Sequence, residues 1–196
     1  VSEQLGGYSR NVRDYLSYAN AADPLSPDTF YRSNLPRTGL TDSAGDTNHV
    51  SLADAVMTSV AVHLRAGDLV TNLSFTSGNT AVGTPAHWWF ALYSNAATPA
   101  LLAQAADQVD AAWAANTTIT LPLATAQRIT TSGIYWASVM VDATSVCTLL
   151  GSVVAPAIAT GERNLAVTSG SALAATAPAT IATPTAKRFV PRVVIT

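Results

Sequence analysis

Short runs of β-branched and aromatic residues, each closed by turn chemistry, recur from about residue 51 onward and constrain the fold more than any other feature. Val60, Val62 and Leu64 alternate with Ser59, Ala61, His63 and Arg65 before the turn Ala66-Gly67-Asp68. A second run, 69–75, ends at Ser77-Gly78-Asn79, and further runs cover 117–123, 134–141 and 189–195. The period of two predicts half-buried strands, because successive side chains of a strand point to opposite faces. The run 87–93 (His-Trp-Trp-Phe-Ala-Leu-Tyr) is apolar on both faces and predicts a central strand covered on both sides. Strands at this spacing, punctuated by Gly, Pro and Asn, predict an all-β fold: an antiparallel β-sandwich, jelly-roll-like.

The first fifty residues read differently. Asp23-Pro24, Ser26-Pro27, Leu35-Pro36 and Ser43-Ala44-Gly45-Asp46 are turn and loop signals. Ser9 is placed to cap a short helix in which Val12, Tyr15, Leu16 and Ala19 share one face. A three-turn helix with one apolar stripe is marginal alone and needs a surface to dock on. The expected organisation is therefore an N-terminal docking arm over 1–50 and a sandwich over 51–196. Tyr8, Tyr15, Tyr18, Phe30 and Tyr31 are the arm's candidate partner contacts, since aromatic side chains anchor interfaces.

Reactive chemistry is sparse. Charged residues make up 11% of the 196, with a single Lys (Lys187), a single Cys (Cys147) and two Glu (Glu3, Glu162). His49, His63 and His87 share no motif, and no GxSxG, HExxH, P-loop or GxGxxG occurs. The sequence therefore predicts no catalytic residue and no cofactor. Cys147, within an apolar run, reads as a small buried hydrophobe, and no Cys/His cluster suggests a metal. A net charge of −2 provides no electrostatic footprint for nucleic acid. The longest uncharged stretches are broken by Ser, Thr, Gly and Pro, so no membrane span is expected, and neither is a secretory leader.

The remaining candidates each have a plain structural reading. Exposed Trp and Tyr stack on sugars, which makes Trp89, Tyr93 and Trp113 candidate glycan contacts. The alternative is that they fill a core or a subunit contact, since adjacent Trp88 and Trp89 must face opposite sides of a strand. His63 and Arg65 share a face with Asp68 in the next turn, a pattern that an outward polar row explains. His87 reads as a strand-edge residue. Asp107 and Asp110 lack the DxDxDG spacing of a calcium loop, so no metal is expected there. Asn72-Leu73-Ser74 and Asn116-Thr117-Thr118 match the short glycosylation sequon.

The phrases Met57-Thr58-Ser59-Val60-Ala61-Val62-His63-Leu64-Arg65-Ala66-Gly67-Asp68 and Gly83-Thr84-Pro85-Ala86-His87-Trp88-Trp89-Phe90-Ala91-Leu92-Tyr93 carry a resemblance. It continues through Leu101-Leu102-Ala103-Gln104, Ala112-Trp113 and Thr131-Ser132-Gly133-Ile134-Tyr135-Trp136 into the tail from Ala174 to Val194. Together these resemble a β-sandwich domain in virion proteins of tailed bacteriophages infecting actinobacteria, of the capsid-surface or minor-tail type. The resemblance implies a non-enzymatic structural protein, with no catalytic residue to transfer. Its expected place is the capsid surface, as a decoration or minor capsid protein. Its expected partners are the major capsid protein and copies of itself, a trimer suiting a shell three-fold. The alternative place is the tail, as an adhesion module on a host cell-surface glycan. The resemblance also bears on 100–115. Alanine content and the spacing of Leu101, Leu102, Ala105, Val109 and Trp113 favour a helix there. The resemblance implies a strand over 101–104 and then a loop carrying Trp113.

Overall fold

The computed structural model describes residues 32–35, 40–42, 52–154 and 164–196, and all its regular elements are β-strands. In chain order they are β1 Arg32–Ser33, β2 Thr41–Asp42, β3 Met57–Leu64, β4 Leu69–Thr76, β5 Gly83–Tyr93, β6 Leu101–Gln104 and β7 Thr118–Arg128. They continue as β8 Gly133–Ser145, β9 Leu150–Val153, β10 Ala166–Ser169, β11 Thr185–Lys187, β12 Phe189–Pro191 and β13 Val193–Ile195. Every pairing is antiparallel, in sheets ordered β11-β10-β3-β8-β5-β6, β1-β13-β4-β7 and β12-β9-β2. The fold is an all-β antiparallel sandwich.

Alternation decides which side chains enter the core. Val60, Val62 and Leu64 of β3, Trp88, Phe90 and Leu92 of β5, and Leu73 and Phe75 of β4 belong to one buried cluster between the sheets. Phe90 lies at the centre of an aromatic group, its ring centroid 4.9 Å from Phe75, 5.8 Å from Trp88 and 5.6 Å from Trp113. Tilted and edge-to-face contacts of this kind add to the stabilisation from burial. The sheets join along one flank, where Ala105, just past β6, bridges Leu123 in the middle of β7.

The opposite face of the six-stranded sheet is also covered, and this explains the two-sided apolar character of β5. Met57, Trp89, Tyr93, Trp136 and Met140 form a second buried cluster with Val167, Ala177 and Ile181. The covering layer is the stretch 170–184, an extended strap without regular structure across most of its length. Side chains of the sheet satisfy its main chain: the Trp89 indole N–H donates to Ala174 O (2.7 Å) and the Tyr93 hydroxyl to Pro178 O (2.8 Å). The Gln104 amide binds both Ala175 O and Ala177 N–H at 2.7 Å. Main-chain bonds from Leu173 N to Ala55 O and from Ile181 N to Pro99 O fix the two ends. Gly170, at φ +75°, makes the turn from β10 into the strap.

Residues 105–116 form a loop, and β6 covers Leu101–Gln104. Helical propensity loses here to main-chain pairing. The N–H groups of Ala105, Gln108 and Asp110 bond Phe90 O, Trp88 O and Ala86 O, so the segment follows the edge of β5. A helix would leave those carbonyls unpaired and withdraw Trp113, which is fully buried, from the core.

The structure moves the domain boundary. β1 pairs with β13 through Arg32↔Ile195 and Ser33↔Val194, and β2 pairs with β9 through Thr41↔Gly151. Arg32–Ser33 and Thr41–Asp42, which the sequence places in the arm, thus supply two strands to the sandwich. The predicted helix and the candidate contacts Tyr8, Tyr15, Tyr18, Phe30 and Tyr31 lie outside the described residues.

Candidate functional site

The three candidate glycan-contact residues are core residues. Trp89, Tyr93 and Trp113 are each 0% exposed. Their polar atoms are used internally, that of Trp113 by Thr117 O at 3.0 Å. A sugar could stack on them only after the strap or the 105–116 loop had left, so the sequence assignment of these residues is corrected. Another tryptophan, Trp136, itself 8% exposed, lines a cavity of about 300 Å3 with Val167, Ile181, Pro99, Pro184 and Asn164. Trp136 belongs to the same aromatic concentration in the sequence but not to the candidate contacts, because the cavity beside it depends on where the distant strap ends.

Among the described residues, two sets of titratable groups lie at opposite ends of the strands. At the end where β3 turns into β4, Asp68 organises the chain: its Oδ2 accepts from Arg65 N at 2.8 Å and its Oδ1 pairs with Arg32 Nη2 at 3.4 Å. Gly67 takes φ +96° there, and Arg128 Nη1 donates to Gly67 O at 3.3 Å. Burial lowers the pKa of Arg32, Asp68 raises it and Arg65 lowers it, so the two guanidiniums are electrostatic neighbours. His63, exposed, faces outward one register step away, opposite Ile134. The structure therefore brings His63, Arg65 and Asp68 to one end, as their spacing suggested. It adds Arg32 and Arg128, which sequence distance had hidden.

The other end is acidic. His87 Nδ1 and Asp107 Oδ2 lie 2.6 Å apart, joining β5 to the 105–116 loop. Asp142 is the cross-strand partner of His87 on β8. Asp54 Oδ1 accepts from Ala143 N at 2.9 Å, and Asp110 N donates to Ala86 O. The second oxygen of Asp107 is buried and has no hydrogen-bond partner. Sequence reasoning treated His87 as a strand-edge residue and Asp107 as part of a discarded calcium idea. Nothing in a separation of twenty residues announces their contact.

These groups hold loops. His87 and Asp107 share the orientation of a catalytic dyad, yet no hydroxyl or thiol nucleophile bonds the imidazole among the described residues. Among the described residues, no group of three His, Cys, Asp or Glu side chains could hold a metal ion. Cys147 is fully buried, and burial pushes its thiol pKa up to about 12, which keeps it protonated and unreactive. Asn72 of the first sequon is partly buried and donates to Thr71 Oγ1 and Thr196 Oγ1. Asn116 of the second is exposed in the left-handed region, at φ 53°. No family model matches the chain, and no curated protein matches it significantly.

Proposed function

We propose that this chain is a non-enzymatic structural protein of a bacteriophage virion, most simply a decoration or minor capsid protein on the shell. The observation that carries the reading is the placement of the resembling phrases. They fall on β3 with its turn, on β5, on β6 and on the start of β8, four of the six strands of the largest sheet. In support, the polar groups are spent on fixing turns and loops, which suits a rigid module that binds through its surface. A shell protein acts by burying area across subunit boundaries, and the lattice repeats each added contact. In this reading the major capsid protein and other copies of the chain are the partners, and residues 1–31 are the docking arm.

The test is the copy number per purified virion, measured by quantitative mass spectrometry against the major capsid protein. A ratio commensurate with shell symmetry supports decoration; a handful of copies moves the protein to the tail; absence overturns the virion reading. Truncation of residues 1–31, which leaves β1 and β2 in place, should abolish virion association without changing the melting temperature. Retained association would reject the arm mechanism.

One observation favours the tail-adhesion alternative. The cavity at Trp136 places a largely buried indole with Asn164 and the prolines Pro99 and Pro184, a mixed apolar and polar lining that suits a sugar ring. Binding on a glycan array that Trp136→Ala abolishes would support it.

A further inference from the structure

The two ends of the strands carry opposite charge. Around the β3–β4 turn, three guanidiniums (Arg32, Arg65 and Arg128) face one carboxylate, Asp68. At the far end, among the described residues, the carboxylates of Asp54, Asp107, Asp110 and Asp142 gather around the start of β5 and the finish of β8, where His87 pairs with Asp107. Strand direction enforces this separation: β3 and β4 meet at the basic end, whereas β5 starts and β8 finishes at the acidic one. Of the other described basic residues, Lys187 and Arg188 belong to the β11–β12 stretch, and Arg192, whose N–H bonds Leu150 O beside the finish of β4, lies toward the acidic end without offsetting its carboxylates.

Distance makes the separation consequential. The eight residues of β3 at about 3.3 Å each place the two ends roughly 26 Å apart. That is about three screening lengths at physiological ionic strength, so the ends do not neutralise each other within one molecule. Two copies placed head to tail would bring them into direct contact. The net charge of −2 opposes such an approach only weakly.

We infer that the basic β3–β4 end of one copy docks on the acidic β5–β8 end of a second copy, giving a heterologous head-to-tail contact. Such a contact closes into a ring when the rotation allows and otherwise propagates. The inference deepens the self-association in the proposed function, but it rests on the charge distribution. The copy-number test and the following one can therefore fail separately.

Sedimentation of the purified full chain decides it, at ionic strengths of about 0.01 M and 1 M, where screening lengths are about 30 Å and 3 Å. The expected result is a concentration-dependent rise in mass at low salt that disappears at high salt. Arg65→Glu/Arg128→Glu, with both ends acidic, should stay monomeric at low salt, and so should Asp110→Lys/Asp142→Lys. Far-UV circular dichroism verifies that each variant is folded. Mixed in equal amounts, the two should associate at low salt, because the wild-type basic end of one variant meets the wild-type acidic end of the other. A wild-type chain monomeric at low salt, association that survives high salt, or association in either double variant alone would overturn the proposal.

Discussion

The indole N–H of Trp89 donates to the carbonyl oxygen of Ala174 across 2.7 Å, and this bond turns an outward strand residue into a core residue. Trp89 is adjacent to Trp88, so the two must point to opposite faces of β5. Trp88 enters the space between the sheets and donates to Ala111 O at 2.7 Å. Trp89 would lie on the outside but for the strap, which supplies both apolar cover and a hydrogen-bond acceptor.

Trp89→Phe keeps most of the apolar contact but leaves Ala174 O without this donor. It should cost about 1–2 kcal/mol, a lower denaturation midpoint at unchanged slope in urea. Trp89→Ala should cost about 3–5 kcal/mol, because a cavity opens beneath the strap. Equal effects of the two substitutions would mean that the strap is not held through the indole N–H.

Ser59 and Ser138 share a buried hydroxyl pair at 2.7 Å on the outer face of the six-stranded sheet, both 0% exposed. Replacing one with Ala strands the other hydroxyl without a partner and should cost about 1–3 kcal/mol. The double replacement should cost less than the sum of the two, a coupling readable in a double-mutant cycle by chemical denaturation.

Gly151 gives the three-stranded sheet its closest approach. A Cβ at this position would run into Val190 O and lie 2.9 Å from Pro191 Cα, both on the neighbouring backbone. The main chain would have to shift, so Gly151→Ala should destabilise by about 1–3 kcal/mol despite its small volume. Calorimetry should show a lower melting temperature, whereas Gly67→Ala loses stability only through its positive φ, since nothing crowds a Cβ there.

Alkaline pH should loosen the fold through buried acids. The Cys147 thiol is raised from 9.0 to about 12 by burial, and burial also pushes the Tyr93 phenol up. Above pH 9 the unfolded chain releases the thiol proton while the folded chain retains it, so stability is full below that value and falls as pH rises towards 12. Cys147→Ala should flatten this decline, measured as denaturation midpoints between pH 8 and about 11. In the native protein near neutral pH, Cys147 should resist alkylation until denaturant is added, as read by mass spectrometry.

Local pattern made the strands legible. The alternation in 59–65 and the two-sided run 87–93 correspond to β3 and β5, because a period of two allows only one placement of the apolar set in a half-buried strand. The turn at Gly67-Asp68 was equally visible, since the residues that make it are local. Sequence by itself therefore determined the all-β class, the cover on both faces of β5 and the opposite orientations of Trp88 and Trp89. The expected central position of β5 is corrected: it lies next to the short edge strand β6, and β3 and β8 are the middle pair. Tertiary structure alone decided what covers each face. The strap meets Trp89 and Tyr93 across 85 residues, Asp107 meets His87 across 20, and Arg32 joins Asp68 across 36. It also decided that 105–116 follows β5 as a loop, and that Arg32–Ser33 and Thr41–Asp42 contribute strands to the sandwich. The physical reason is common to all of these. Propensity and periodicity are set within a few residues, whereas burial, ion pairing and edge pairing depend on which distant segment comes to rest on a given surface.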